Sequence, residues 1–368
     1  MASAAWVSEG KAQFQVGPAF YRSASQVTRD LGILAAAVYR SQTGRLRVLD
    51  AMSGCGVRSL RYWLESQADW VIANDANSEV HPVLHRNLAA AIASGAAQVF
   101  HADANRLFFD CYARQEYYDL VDVDSFGSPA PFLSTVLWAT RIGGLIYLTS
   151  TDGRTATGHL PEGSLKVYGA YARAHPAAHE QALRLLIGSV QQQAATKELG
   201  IEPVFSLFTP SAYRVMLRLT PHPLLSSRNY GFLGYCHRCG DYQTISWRKL
   251  GQACCRCGPF TLSGPLWLGL LHDPRWLKSM QTLAQQWHWP ERAALLAVMF
   301  AEADFPPYFY RLGEIGRRGR LDIPKKGQLI AALQQQGHRA TATHIDPQAI
   351  KTEADLATCI TVARSLSA

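Results

Sequence analysis

From residue 46 onward, short apolar runs alternate with amphipathic stretches. Leu46–Met52 (LRVLDAM) is short and dominated by apolar residues, which predicts a strand covered on both faces. Trp70–Asn74, Gln98–His101, Tyr118–Asp124 and Gly144–Ser150 repeat that pattern. Between them, helical spacing predicts helices over Val57–Gln67, Glu79–Ser94 and Pro131–Arg141. Strands separated by helices imply right-handed crossovers and a mostly parallel sheet, hence an α/β fold. A long helical segment follows over His175–Leu199, with Leu183, Leu186, Ile187 and Val190 at core spacing, and Pro203 ends it. Val204–Phe208 and Tyr213–Leu219, parted by Thr209-Pro210-Ser211, predict a closing antiparallel pair.

Three regions result. Residues 1–220 form the sheet domain, headed by a lead-in whose stretch LGILAAAVYR predicts a helix. The Pro-, Ser- and Gly-bearing segment PHPLLSSRNYG is the linker. Residues 230–265 carry a cysteine cluster, and residues 266–368 form a smaller C-terminal α+β domain with a basic centre.

Composition narrows the classes of function. With 48% hydrophobic and 17% charged residues in 368, the chain is ordinary globular protein, which excludes a disordered or fibrous one. A net charge of +8 favours a polyanionic partner. Neither a signal-peptide pattern at MASAAWVSEGKAQF nor an apolar run long enough to span a bilayer is present. The expectation is a soluble, cytoplasmic protein with no membrane association, and nothing points to an obligate protein partner.

In an open parallel sheet, ligands bind outside the carboxyl ends of the strands. The first strand runs into Asp50-Ala-Met-Ser-Gly-Cys-Gly-Val-Arg58, where small residues let a ligand approach the backbone. The second ends in Asn74-Asp75, a carboxylate placed for ribose hydroxyls. The third is followed by Asp103-Ala104, an acid beside a small residue that suits an adenine ring. Each aspartate alone fits a cap or turn as well. Three such features, the small-residue turn and the two acids, in register on successive strands point to a nucleotide-like cofactor. The run Gly54-Cys-Gly-Val-Arg-Ser59 lacks the third glycine usual in dinucleotide dehydrogenases.

The fourth strand ends in Asp122-Val-Asp124-Ser-Phe126-Gly-Ser-Pro129. An acid leaving a strand, with an aromatic two residues on, resembles the D/N-P-P-F/Y signature of amino-group methyltransferases. An exocyclic base amine is a poor nucleophile because its lone pair is delocalised. Acceptors aimed at its N–H bonds favour the pyramidal amine that attacks. Asp124 is the candidate acceptor and proton remover, and Phe126 the surface on which a flipped base stacks.

Five of the eight cysteines crowd Cys236-His-Arg-Cys239 and Cys254-Cys-Arg-Cys257, two C-x-x-C knuckles each followed by glycine. That spacing predicts a structural zinc ribbon, with Cys255 the ambiguous thiol. Arg311, Arg317, Arg318, Arg320, Lys325 and Lys326 form a basic span suited to a phosphate backbone or to a solvated face.

With these residues in view, the chain resembles the tRNA guanine-26 N(2)-dimethyltransferase family. Similar motifs run along it in order: Glu9-Gly10, Phe20-Tyr21, Thr28-Arg29-Asp30, Asp50–Arg58, Asp124–Pro131, Thr149–Asp152, His179–Ser189, both knuckles, Gly264–Gly269, His344–Pro347 and Ile350–Thr352. The resemblance implies a class I (Rossmann-like) S-adenosylmethionine-dependent methyltransferase fold with an inserted zinc ribbon, and a C-terminal domain that helps grip tRNA. It implies that Arg29, Arg58, Asp75, Asp103 and Ala104 contact the cofactor and that Asp124 is catalytic. Phe20 and Phe126 would sandwich the guanine, and Cys236, Cys239, Cys254 and Cys257 would hold Zn2+. Ser125 stands where the family has proline, which softens that loop. Two other functions remain compatible: an amino-methyltransferase acting on adenine or cytosine of another nucleic acid, and a non-catalytic zinc-ribbon RNA-binding protein.

Overall fold

The chain begins with a hairpin that hydrophobic periodicity does not reveal, β1 (Trp6–Glu9) paired with β2 (Ala12–Gln15). It turns at Gly10, where φ is +57° and a Cβ would lie 2.4 Å from Glu65 Oε1, so only glycine fits. The computed structural model describes residues 5–366; the first four residues of the expected lead-in and residues 367–368 of the expected C-terminal domain lie outside the described residues.

The apolar runs form a seven-stranded sheet: β3 (Arg47–Asp50), β4 (Trp70–Asn74), β5 (Ala97–Phe100), β6 (Tyr118–Val123), β7 (Thr140–Ser150), β8 (Gly200–Thr209) and β9 (Ala212–Thr220). Their order is β5-β4-β3-β6-β7-β9-β8. Strands β3 to β7 are mutually parallel, while β9 runs antiparallel to both β7 and β8. The chain steps outward from β3 to β5, then crosses back to β6. The reversal leaves a crevice outside the carboxyl ends of β3 and β6, the expected ligand position in such a sheet. Every residue of β6 is buried, which accounts for its reading as a continuous run.

Both faces of the sheet are covered. The helix Ala178–Ala195 packs Leu183, Leu186, Ile187 and Val190 into one core with Val121, Ile146 and Val215. On the opposite face the helix Gln26–Thr43 supplies Leu31, Ile33 and Leu34, and Gly44 ends it in the left-handed conformation. The helices Pro274–Gln286 and Pro290–Ala301 join this same layer through Trp276, Leu277, Met280, Leu296 and Met299. They come from the stretch assigned by sequence to the C-terminal domain, yet they pack over the sheet.

Several elements differ from expectation. The helix expected over Glu79–Ser94 is broken into a 3-10 turn and two short helices, His81–Asn87 and Ala89–Ala93. Of the helix expected over Pro131–Arg141, only a 3-10 turn at Ala130–Phe132 and Val136–Ala139 are helical, because β7 begins at Thr140 rather than Gly144. The cysteine region is a three-stranded sheet of Tyr230–Tyr235, Tyr242–Ile245 and Thr261–Trp267. It rests on the long helix where Gly188 leaves room for Tyr230 and Trp267. Beyond residue 305, a small sheet of Tyr310–Arg311, Ala340–Ala342 and Ala349–Thr352 carries three helices, an α+β unit. Among the described residues no helix is long and apolar enough to cross a membrane.

Candidate active site and metal centre

The turn after β3 is shaped by two glycines. Gly54 (φ +56°) donates its N–H to Asp75 Oδ2 at 2.8 Å, tying the turn to the end of β4. Gly56 (φ +81°) opens the helix Val57–Leu64, and a Cβ there would meet Leu84 Cδ1 at 2.7 Å. Asp75 also accepts from Asn77 N–H at 2.9 Å. The carboxylate is thus held at the strand tip with lone pairs still available for hydroxyl donors.

These residues border a cavity of about 880 Å3 at the crevice, and Phe20, Arg29, Arg58, Asp75, Asp124 and Phe126 all line it. Asp103 and Ala104 do not. Asp103 is exposed and caps the helix Ala104–Ala113 by accepting from Arg106 N–H at 3.1 Å, while Ala104 is buried in that helix. The structure therefore unites six of the eight residues expected around cofactor and base.

Asp124 sits between two guanidinium groups. Its Oδ2 pairs with Arg58 Nη1; its Oδ1 accepts from Thr149 Oγ1 at 2.6 Å and pairs with Arg214 Nη2 at 3.0 Å. Burial would raise the carboxyl's pKa, but Arg214, Arg58 and the Thr149 hydroxyl outweigh it and hold the group far below the usual carboxylate range. Arg58 itself is buried, 3.2 Å from Asp122 and within 3.1 Å of the Met52 carbonyl, so it bridges the cofactor turn and the acid. Next to Asp124, the buried Ser125 hydroxyl has no hydrogen-bond partner.

Phe20 and Phe126 are exposed, at 66% and 75%, and touch across the cavity mouth with ring centroids 5.3 Å apart at 72°. Two aromatics left in solvent beside a cavity that also holds Asp75, Asp124 and Arg58 suit a stacking surface, although this edge-to-face contact must open to admit a base between them.

Arg29 belongs to a buried ion network behind the same wall. Its Nε donates to Glu9 Oε1 at 2.7 Å, and Tyr21 OH reaches Glu9 Oε2 at 2.9 Å. Arg61, fully buried, binds Glu9 at 2.8 Å, Asp30 at 2.7 Å and Glu65 at 2.7 Å. The separate N-terminal motifs Glu9-Gly10, Phe20-Tyr21 and Thr28-Arg29-Asp30 thus meet in one cluster that carries Phe20 on its outer edge.

Sequence reasoning missed Arg214. It is 2% exposed and its guanidinium lies 4.5 Å from the Tyr147 ring centroid. The available signal was a charge inside the apolar strand Tyr213–Leu219 of a sheet covered on both faces.

Four thiols converge at the tip of the cysteine region. Cys236, Cys239, Cys255 and Cys257 bring ligand atoms within 4.8 Å of one another, and Cys239 Sγ lies 3.8 Å from Cys255 Sγ. Tetrahedral zinc with Zn–S near 2.3 Å needs sulfurs about 3.8 Å apart, so this donor set fits Zn2+. Cys254, the residue expected from C-x-x-C spacing, is exposed and stands outside the group; Cys255 takes its place. The two-residue pairing of Cys254-Cys255 with Gly258-Pro259 turns the Cys255 side chain inward. Cys255→Ser is expected to lower bound zinc, measured by atomic absorption, while Cys254→Ser retains one ion per chain. The reverse ranking would restore the C-x-x-C assignment.

A second cluster, His272, Glu302 and His344, also places three possible ligand atoms within 4.8 Å. It already has a cation, because buried Lys351 Nζ lies 4.0 Å from Glu302 and 2.8 Å from Glu180. Ser206 N–H also donates to His272 Nδ1 at 3.2 Å, which places that ring's proton on Nε2. These groups are a buried brace between the small α+β unit and the long helix. The basic span is likewise partly consumed: Arg311 pairs with Asp346, Arg318 bonds Glu314 and the Arg238 carbonyl, and Lys326 reaches the Pro347 carbonyl. Arg317, Arg320 and Lys325 are exposed, and Arg317 pairs with Glu314 at 2.8 Å.

A sheet that reverses between β3 and β6, with a glycine turn, an acid at the tip of β4 and an acid–aromatic pair after β6, defines a class I S-adenosylmethionine-dependent methyltransferase. The chain belongs to the N2,N2-dimethylguanosine tRNA methyltransferase family, whose model matches residues 3–364. It is 30% identical to the tRNA (guanine(26)-N(2))-dimethyltransferase of Pyrococcus horikoshii, over 95% of each chain. It is also 30% identical to that of Archaeoglobus fulgidus, over 98% of each. A solved complex of Trm1 from Pyrococcus horikoshii with S-adenosyl-L-methionine superposes with a TM-score of 0.85 at 28% identity, covering 97% of this chain and 99% of that one.

Proposed function

We propose that this chain methylates the exocyclic 2-amino group of guanine 26 in tRNA, using S-adenosylmethionine, and carries the reaction to the dimethyl product. The observation that carries this reading is Asp124, held ionised at the crevice with Phe126 and Phe20 at its mouth, in a chain matched end to end by the family. Asp75, Arg58 and Arg29 supply the acceptor and donors that hold the cofactor. When bound, the cofactor offers a methyl carbon on a sulfonium, which the amine nitrogen attacks while the C–S electron pair stays on sulfur.

The protein's part is positioning and charge. Guanine must leave its stack, and Phe20 and Phe126 give the extruded ring two apolar faces. Asp124 accepts an N–H bond from the amine, localising its lone pair for attack. Nitrogen becomes cationic as the N–C bond forms, and its proton leaves along that hydrogen bond. A carboxylate held this low does not retain the proton at neutral pH and releases it to solvent. Within the basic span, exposed Arg320 and Lys325 are the cations placed to meet phosphates, with Arg317 shared with Glu314.

The test is incubation of unmodified tRNA transcript with the protein and S-adenosylmethionine, followed by digestion and mass analysis. N2-methyl- and N2,N2-dimethylguanosine at position 26 are expected. Methylated adenosine or cytidine would redirect the substrate assignment, and no methylated nucleoside would reject the activity.

A further inference from the structure

Arg214 is a charged residue near the start of a largely buried strand, and nothing in the cofactor turn requires it. Its strand, β9, runs antiparallel to β7 with Arg214 directly opposite Thr149. Side chains directly opposite on neighbouring strands point to the same face, and here both reach one atom, Asp124 Oδ1, at 3.0 and 2.6 Å. The guanidinium is itself fixed, with its central carbon over the Tyr147 ring, 4.5 Å from the centroid, and its Nη1 3.5 Å from Asp122. Tyr147 is anchored in turn by donating to the Thr28 carbonyl at 2.6 Å. Arg58 approaches the same carboxylate from the opposite side, on Oδ2. Asp124 lies just beyond the end of β6, so its backbone is not held by the sheet ladder. What sets its rotation is the pair of contacts from β7 and β9 on Oδ1 together with Arg58 on Oδ2.

We propose that Arg214 is a positioning residue for methyl transfer, clamping Asp124 Oδ1 from β9 so that the carboxylate's remaining lone pairs stay aimed at the target amine. The inference rests on the reading of Asp124 as the amine's acceptor. A planar guanidinium suits the task better than an ammonium, since it can hold Asp124 and Asp122 from one rigid fork while lying over the Tyr147 ring.

Arg214 also balances charge. The groups around Asp124 are Asp50 from β3, Asp122 from β6 with Tyr62 donating to it, Arg58 from the helix Val57–Leu64, Tyr147 and Thr149 from β7, and Arg214 from β9. Burial pushes Asp50 upward against the pull of Arg58. Without Arg214, three carboxyl groups share the single guanidinium of Arg58. Protonation of Asp124 then moves up toward working pH, and the anion that the amine needs is lost on the acid side.

The experiment measures single-turnover methyl transfer to tRNA from pH 5 to 9 for wild type, Arg214→Met, Arg214→Lys and Asp124→Asn, with S-adenosylmethionine binding by calorimetry. Arg214→Met is expected to lower the rate about 100-fold, with cofactor affinity within about threefold, and to show an acid limb that wild type lacks above pH 5. Arg214→Lys keeps the charge and loses the fork, so it should fall about tenfold with the acid limb near wild type. Arg214→Met in the Asp124→Asn background should add no further loss. Wild-type rates and pH profiles in both arginine variants would overturn the proposal, as would loss of cofactor binding in parallel with rate, which would assign Arg214 to the scaffold. If Arg214→Met does not fold, the lysine variant alone decides. Full activity in Asp124→Asn would instead remove the underlying reading of Asp124.

Discussion

Asp124→Asn should lower methyl transfer by about 10²- to 10⁴-fold while leaving S-adenosylmethionine binding within a few-fold of wild type. The substitution keeps the side chain's shape but removes its charge and one acceptor oxygen. The amine then meets an N–H donor or a neutral carbonyl where it needs an anion. Asparagine is the better test than alanine. Arg58 and Arg214 converge on this carboxylate, and deleting it entirely would leave two buried guanidinium groups facing each other with only Asp122 and Asp50 to share. The low pKa of Asp124 gives a second expectation. A folded value below the unfolded one means that its contribution to stability is full above the ordinary carboxylate range and is lost as pH falls through the folded value. Wild-type activity should therefore show no acid limb from this group near neutral pH. The measurement is a pre-steady-state rate with saturating cofactor. A variant that turns over at the wild-type rate would show that Asp124 is a scaffold residue.

The sheet was legible because its strands are covered on both faces, so burial appears directly as apolar runs. Trp70–Asn74 matches the observed strand end for end, and the closing pair turns at Pro210-Ser211 as its residues suggest. The tips of the strands were legible for a different reason: Gly54, Asp75 and Asp124 interrupt apolar pattern at positions fixed by the fold. What periodicity could not show was structure made by contacts distant in sequence. The hairpin β1–β2 is only four residues per strand and depends on Glu65 and Asn87 for its place. The helices Pro274–Gln286 and Pro290–Ala301 carry ordinary amphipathic patterns that do not say which surface they cover. Cys254 and Cys255 differ by one position in a two-residue strand, where a single step in register exchanges the inward thiol for the outward one. Arg214 was hidden in the opposite way, since its partner Asp124 lies 90 residues earlier, at the end of a different strand.

Arg61→Met should destabilise the fold by about 3–5 kcal/mol, the usual cost of removing one partner from a buried ion pair. Arg61 is 0% exposed and its guanidinium serves three carboxylates at once. Glu9 would keep Arg29, and Asp30 would keep Arg292 at 2.7 Å, but Glu65 would lose both bonds that Arg61 gives it, at 2.7 and 3.0 Å. Glu65 also accepts the Lys11 N–H at 3.2 Å, so its disturbance reaches the turn of the hairpin and, through Glu9 and Tyr21, the segment bearing Phe20. A pH signature separates this from simple loss of packing. Burial pushes Glu9 upward, but Arg29 and Arg61 outweigh it and hold its carboxyl below the ordinary range. The stability Glu9 contributes is therefore present at neutral pH and disappears as pH falls through its folded value. With Arg61 gone, that folded value rises and acid unfolding should begin at a higher pH. Urea midpoints at pH 7 and an acid titration followed by circular dichroism measure both effects. A midpoint equal to wild type at pH 7 would mean that the three carboxylates find other partners or water, and that the network is not what holds the N-terminal hairpin against the sheet.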